Sequence, residues 1–165
     1  QAAPLMQALA KRQQLPLAVL LLDIDHFKAV NDQHGHNVGD QALQLLAKTL
    51  QSQVRSDEMA SRWGGEEFCL LLYAQPAAVD ALYQRLCTLL QHQSLQELGF
   101  SLHLSGGCAL QSPSNPQSLQ QLLQHADTAL YEAKSNGRGR LAFERTAISP
   151  ALAPARAAQA QSTPL

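Results

Sequence analysis

The stretch Arg62-Trp63-Gly64-Gly65-Glu66-Glu67-Phe68, continued by Cys69-Leu70-Leu71-Leu72-Tyr73, carries the strongest local signal in the chain. Two consecutive glycines accept positive φ without Cβ strain, so Gly64 and Gly65 predict a two-residue hairpin turn. The flanking residues then form strands over 59–63 and 67–73, the second buried because it is apolar throughout. Glu66 and Glu67 stand at the lip of the turn, and the bare glycine backbone beside them lets a ligand come close. Acids held rigidly in such a place suit a metal–phosphate site. A solvated hairpin with two surface glutamates is the plainer reading of these residues alone.

A second acidic group changes that balance. Residues 17–25 form a nearly continuous apolar run ending in Asp23-Ile24-Asp25, the pattern of a central strand with acids at its C-terminal end. If the two strands are neighbours, Asp23, Glu66 and Glu67 converge on one point. Like charges in a partly buried place require a divalent cation. Oxygen-only ligands favour Mg²⁺, with Mn²⁺ as its substitute. Asp25 either shares the face of Asp23 or caps the helical turn that follows.

Around these acids the chain alternates helices and strands. A lead-in helix covers 1–14, ahead of Pro16. A polar segment over 28–40 is punctuated by Gly35 and Gly39. Leu43, Leu46, Ala47 and Leu50 recur at helical spacing and predict a core-facing helix from Gln41 to about Gln53. A second helix is expected over 76–91, a strand over 100–110, a third helix from Leu119 stopped by Gly137, and a short strand over 141–144. From 146 onward Ala, Pro, Gln and Ser dominate without periodicity, which predicts a flexible tail. The domain plan is a lead-in over 1–16, one domain over 17–145 and the tail over 146–165; the class is α/β (α+β), helices on a mixed sheet.

Composition narrows the partners. A chain of 165 residues suggests one domain, and 45% hydrophobic residues are ample for a core built mainly from Leu and Ala. The net charge of −1 leaves no broad basic surface, so a nucleic-acid partner is not expected and any phosphate ligand needs a local site. Cys69, Cys87 and Cys108 lie in apolar segments and read as reduced core residues. With neither a signal peptide nor a run of about 18 apolar residues, the expectation is a cytoplasmic piece without direct membrane contact, compatible with a larger sensor protein.

Asn31, His36 and Asp40 fall in one polar stretch. An amide and a carboxylate together can read a guanine edge, the carboxylate accepting from N1–H and N2–H. Turn and cap chemistry explains Asn31-Asp32 and Gly39-Asp40 equally well. Lys134 and Arg138 flank the end of the last helix, where cations also complement the helix dipole.

Taken in order, Asp23-Ile24-Asp25-His26-Phe27-Lys28, Asn31-Asp32, Gly35-His36, Gly39-Asp40, Gly64-Gly65-Glu66-Glu67-Phe68, Ala126-Asp127-Thr128-Ala129-Leu130-Tyr131 and Lys134-Ser135-Asn136-Gly137-Arg138 resemble the GGDEF family of diguanylate cyclases, in its GGEEF spelling. The resemblance runs from about Leu17 to Phe143. It implies a palm-like nucleotidyl cyclase fold with about five strands, and the condensation of two GTP into cyclic di-GMP in a homodimer with one GTP on each half. It also implies roles. Asp23, the Ile24 carbonyl, Glu66 and Glu67 would hold Mg²⁺, with Glu66 the central catalytic acid and Glu67 assisting. Asn31 and Asp40 would read guanine, with His36 nearby. Lys134, Arg138 and the amides around Phe27 and Lys28 would grip phosphates against Gly64 and Gly65. Asp40 in particular favours GTP over ATP, because adenine offers it neither donor.

Some residues depart from the family pattern. The product-inhibition motif Arg-x-x-Asp is replaced by Arg55-Ser56-Asp57-Glu58, with Arg85 as the supporting cation. Glu58 is one methylene too long for that clamp. The usual Thr-x-Ser-x-Gly strand reads His103-Leu104-Ser105-Gly106-Gly107, and the family's lead-in motif Asp-x-Leu-Thr-Gly-Leu-x-Asn-Arg is absent. The alternative function is a non-catalytic GGDEF module that binds GTP or cyclic di-GMP as a receptor; its usual mark is a broken glycine–acid motif, and this one is unbroken.

Overall fold

The structure, a computed structural model, describes residues 2–114 and 116–144. The tail expected over 146–165 lies outside these residues. Its elements run α1 (Ala2–Gln13), β1 (Leu17–Ile24), α2 (Phe27–His34), α3 (His36–Gln53), β2 (Met59–Gly64), β3 (Glu67–Leu72), α4 (Pro76–Leu98), β4 (Leu104–Gln111), α5 (Leu119–Ser135) and β5 (Leu141–Phe143). The five strands form one mixed sheet in the order β2-β3-β1-β4-β5, antiparallel throughout except for the β4–β5 pair. This is the α+β sheet-and-helix architecture expected above.

β1 occupies the centre because it is apolar on both faces. Alternate residues serve two cores, as the period of two requires. Ala18, Leu20, Leu22 and Ile24 join the larger core with residues of α2, α3 and α4. Leu17, Val19 and Leu21 join the smaller one with α1 and α5. On β3 the same split puts Phe68, Leu70 and Leu72 in the larger core and Cys69 and Leu71 in the smaller. Asp23 and Glu67 therefore continue the α5-facing rows of their strands, and they stand directly opposite each other in the register.

α5 sits very close to β4. A Cβ added at Gly107 would lie 2.1 Å from the Leu130 nitrogen and 2.3 Å from the Ala126 carbonyl oxygen, both helix backbone. Only a glycine in the strand permits that approach. The helix begins with a capping box, in which Ser118 and Gln121 each bond the other's backbone N–H. Tyr83 of α4 donates from its hydroxyl to the Leu104 carbonyl at 2.8 Å, tying the other layer to the same strand. The three cysteines are free thiols, and burial pushes Cys69 up to about 11, so it stays protonated.

Three expectations are corrected. The polar segment over 28–40 is helical, forming α2 and the start of α3, because the few apolar residues Phe27, Val30 and Val38 all pack on the larger core. Gly35, at φ 87°, is the break between them. α4 runs on to Leu98 rather than stopping near 91, since Leu90, Ser94 and Leu98 keep helical spacing beneath a polar surface until Gly99 ends it at φ 83°. β4 begins at Leu104, not at Phe100, whose ring stacks on His34 with centroids 4.2 Å apart.

The hairpin also differs by one residue. Arg62 pairs with Phe68 but Gly64 pairs with Glu67, so Trp63 is an extra, bulged residue and is 57% exposed. The turn residues are consequently Gly65 and Glu66 instead of the two glycines. Gly65 takes φ 49°, the left-handed conformation the turn requires.

Candidate active site

The C-terminal end of β1 opens into a cleft of about 440 Å³ lined by Asp23, Ile24, Asp25, Phe27, Lys28, Glu66, Lys134 and Arg138. The sheet supplies the acids and α5 with its C-terminal turn supplies the cations. Asp23 is 3% exposed, and its Oδ2 accepts from the Lys134 ammonium. Burial pushes the Asp23 carboxyl up to about 6; the Lys134 bond and charge pull it down, while Glu66 and Glu67 push it up again. Its other oxygen, Oδ1, is buried with no hydrogen-bond partner.

That bare acceptor is the test of whether the residues fit a cation. Among the described residues no three Asp, Glu, His or Cys side chains close into a metal cage. Mg²⁺ does not need one, because it commonly takes one or two carboxylates and completes its shell with waters and substrate phosphates. A buried carboxylate with one uncompensated oxygen, beside the half-buried Glu66 and Glu67, meets that requirement.

The turn is shaped for a ligand. Nothing lies within 4 Å of where a Cβ would stand on Gly64 or Gly65. Arg62 donates from Nε to the Gly65 carbonyl at 2.8 Å, fixing the turn from behind, a contact that sequence reasoning missed.

The base-reading candidates divide. The Asn31 carboxamide lies against the bare Cα of Gly39, so α2 and α3 meet at this amide. Asp40, the next residue, is exposed and lines a second recess of about 510 Å³ with Leu43, Arg62 and Phe68. His36 is exposed on the first turn of α3 and lines neither cleft. Remote from the acids, the Glu58 carboxylate folds back to accept from the Arg55 backbone N–H at 3.0 Å, and Arg85 donates to Gln53 at 3.4 Å. Arg55 and Arg85 are exposed.

Asp25 answers the alternatives left open for it. It does not cap α2: the residue at that position is His26, which has no side-chain cap bond. Its carboxylate binds Ser105 and Gly139 instead, a connection between residues far apart in sequence that no local pattern announces.

Acids on a rigid sheet facing a lysine and an arginine across one cleft are the donor set that a divalent cation and phosphate oxygens use. The chain belongs to the GGDEF family: the family described as "Diguanylate cyclase, GGDEF domain" matches residues 1–140. Among relatives, the probable diguanylate cyclase DgcC of Escherichia coli is 37% identical over 140 residues, which cover 79% of this chain and 35% of that protein. Diguanylate cyclase DgcS of Shewanella oneidensis is 33% identical over 143 residues, covering 86% of this chain and 47% of that protein. The chain thus spans between about a third and a half of the length of these two relatives. In three dimensions it resembles the active GGEEF domain of a diguanylate cyclase from Vibrio cholerae, with a TM-score of 0.77, 32% identity, and coverage of 86% and 90% of the two chains. The GGDEF domain of DgcB from Caulobacter crescentus, solved in complex with c-di-GMP, gives a TM-score of 0.74 at 29% identity and 84% coverage of each chain.

Proposed function

We propose that this domain is a diguanylate cyclase: it condenses two GTP into cyclic di-GMP and releases two pyrophosphates, using Mg²⁺ and a homodimer with one GTP on each half. The observation that carries the reading is the cross-strand pair Asp23–Glu67, with Glu66 beside it and Lys134 and Arg138 across the cleft. In each half-reaction the 3′-oxygen of one GTP attacks the α-phosphorus of the other. The bond to the pyrophosphate oxygen breaks and the hydroxyl proton is lost. A divalent cation at Asp23, the Ile24 carbonyl, Glu66 and Glu67 would neutralise the triphosphate and acidify that hydroxyl.

The chain's own groups do the rest. Glu66 and Glu67 carry the negative charge that draws off the proton, and Glu67 is held by the β1–β3 ladder in a fixed position. Lys134 and Arg138 bind the terminal phosphates, together with the backbone amides near Phe27 and Lys28. Binding exchanges the Lys134–Asp23 contact for contacts to phosphate oxygens. The bare turn at Gly64 and Gly65 leaves room for the phosphates. Asn31 and Asp40 select guanine, with His36 exposed nearby on the first turn of α3. A GTP substrate also implies a cytoplasmic setting.

The test is to incubate concentrated protein with GTP and Mg²⁺, following pyrophosphate and separating products by chromatography. Cyclic di-GMP formed with a steeper than linear dependence on protein concentration supports the cyclase and its dimer. Bound GTP without product at high concentration favours a receptor module instead.

Two substitutions probe guanine recognition. Asp40→Ala removes the acceptor for N1–H and N2–H, so GTP affinity should fall on the order of tenfold and the preference over ATP should shrink with it. Calorimetry with both nucleotides measures this, and an unchanged preference removes Asp40 from base reading. Gly39→Ala acts through Asn31, because the new methyl would sit 1.9 Å from Asn31 Oδ1. The colliding atom ends a flexible side chain, so the fold survives while the amide swings away. Melting should change little and GTP affinity should drop about as much as in Asn31→Ala.

Product feedback would use Arg55 and Arg85, with Glu58 in place of the family's Asp. Glu58 already bonds the Arg55 backbone and must leave it to reach a guanine. Weak binding of cyclic di-GMP is therefore expected at this face. Tight binding that disappears in Arg55→Ala would contradict that expectation.

A further inference from the structure

We propose that Asp25, together with Ser105, is a positioning residue that holds the turn over 137–139 so that the Arg138 guanidinium faces the substrate phosphates; this rests on the guanine-nucleotide reading of the site. Asp25 stands among the acids of the cleft, yet both of its oxygens are already committed. Oδ1 accepts from the Ser105 hydroxyl at 2.6 Å, and Oδ2 accepts from the Gly139 backbone N–H at 3.0 Å. The same N–H lies 3.2 Å from the Ser105 oxygen, closing a three-membered network. Ser105 is wholly buried, directly opposite Asp23 in the β1–β4 register. The Asp25 backbone N–H donates to the His103 carbonyl at 2.8 Å, so Asp25 is tied to the segment entering β4 by its main chain as well as its carboxylate.

What the network restrains is an unfavourable backbone. Arg138 has φ 60°, the left-handed region that residues with a Cβ avoid. Such a conformation persists where the surroundings over-determine it. Three bonds do so here. The Arg138 N–H donates to the Ala133 carbonyl at 3.0 Å, the Gly139 N–H donates to Asp25, and the Arg140 carbonyl accepts from the Gly106 N–H at 2.9 Å. Arg138 lines the cleft and the adjoining recess formed with Asp25, Phe100 and Gly139, and among the described residues no acceptor engages its guanidinium. A left-handed residue pinned on each side and free at its charged end is a presented phosphate ligand. Asp25 lines the cleft too, but with both carboxylate oxygens already bonded it acts on substrate through Arg138, whereas Asp23 keeps one oxygen without a partner.

The experiment compares Mg²⁺·GTP with GMP, which lacks the terminal phosphates, by calorimetry on the unaltered protein and on Asp25→Asn, Ser105→Ala, Arg138→Ala and the double variant Asp25→Asn/Arg138→Ala. Asp25→Asn keeps the shape but turns an acceptor into a donor facing a donor. Affinity for GTP should fall on the order of tenfold in each single variant, with GMP affinity unchanged. The double variant should be no weaker than Arg138→Ala alone, because the two residues act as one unit. Wild-type GTP affinity in Asp25→Asn, an equal loss for GMP, or full additivity with Arg138→Ala overturns the proposal. If Asp25→Asn fails to fold, Ser105→Ala carries the same comparison. If the unaltered protein binds no GTP, the nucleotide reading fails by itself. The clamp is then judged by hydrogen exchange of the Gly139 amide in Ser105→Ala, where acceleration supports it and an unchanged rate overturns it.

Discussion

Glu66→Ala is expected to cut cyclic di-GMP formation by about three orders of magnitude while GTP binding survives, as steady-state kinetics and calorimetry on the same preparation would show. The asymmetry follows from position. Glu66 is a turn residue that lines the acid end of the cleft, and in the proposed reaction its charge acts where the α-phosphate and the attacking hydroxyl meet. The guanine and terminal-phosphate contacts proposed above belong to other residues, so the substitution leaves them in place. The turn itself does not depend on this side chain, since Arg62 holds the Gly65 carbonyl and Gly65 supplies the positive φ. A loss in kcat without a matching loss in affinity marks a group that acts in the transition state. Turnover equal to that of the unaltered protein would remove Glu66 from catalysis.

Gly107→Ala is expected to cost about 3 kcal/mol or more of stability, a drop of roughly 10 °C in melting temperature. Its methyl would meet three backbone atoms of α5, at 2.1, 2.3 and 2.6 Å. Backbone cannot rotate away as a side-chain end can, so the helix must lift from the sheet. Gly106→Ala is the control: its nearest neighbours are the side-chain ends of Leu141 at 3.0 Å and Leu22 at 3.2 Å, and its penalty should be smaller. Lifting α5 would also draw Lys134 from Asp23, so nucleotide affinity should fall in the Gly107 variant even below its melting point. Thermal denaturation of both variants decides the matter, and equal melting temperatures would contradict the close helix–strand approach.

The legible part of this molecule was local. The apolar run of β1, the glycine break before β3, the spacing of leucines in α3 and α5 and the acids beside them each express a short-range rule, and ordered motifs tied them to one family. The errors were local too. Polarity over 28–40 concealed α2 and the first turn of α3, where Phe27, Val30 and Val38 are the few apolar residues that meet the core. The glycine pair suggested a turn one residue too early, because the Trp63 bulge is set by pairing with β3 and not by the glycines.

By itself the sequence determined which residues carry charge and which strands must be buried, since hydrophobic period and glycine conformation act over a few neighbouring residues. Tertiary structure alone decided how those charges are used. The pleat turns Asp23 toward α5, which brings Lys134 to it across 111 positions. The antiparallel register then sets Glu67 opposite Asp23. Asp25, two residues from Asp23 and chemically identical to it, is committed to Ser105 and Gly139 by contacts spanning 80 and 114 positions. Two like carboxylates acquire different environments because their partners arrive only when distant segments pack, and no local rule encodes that meeting.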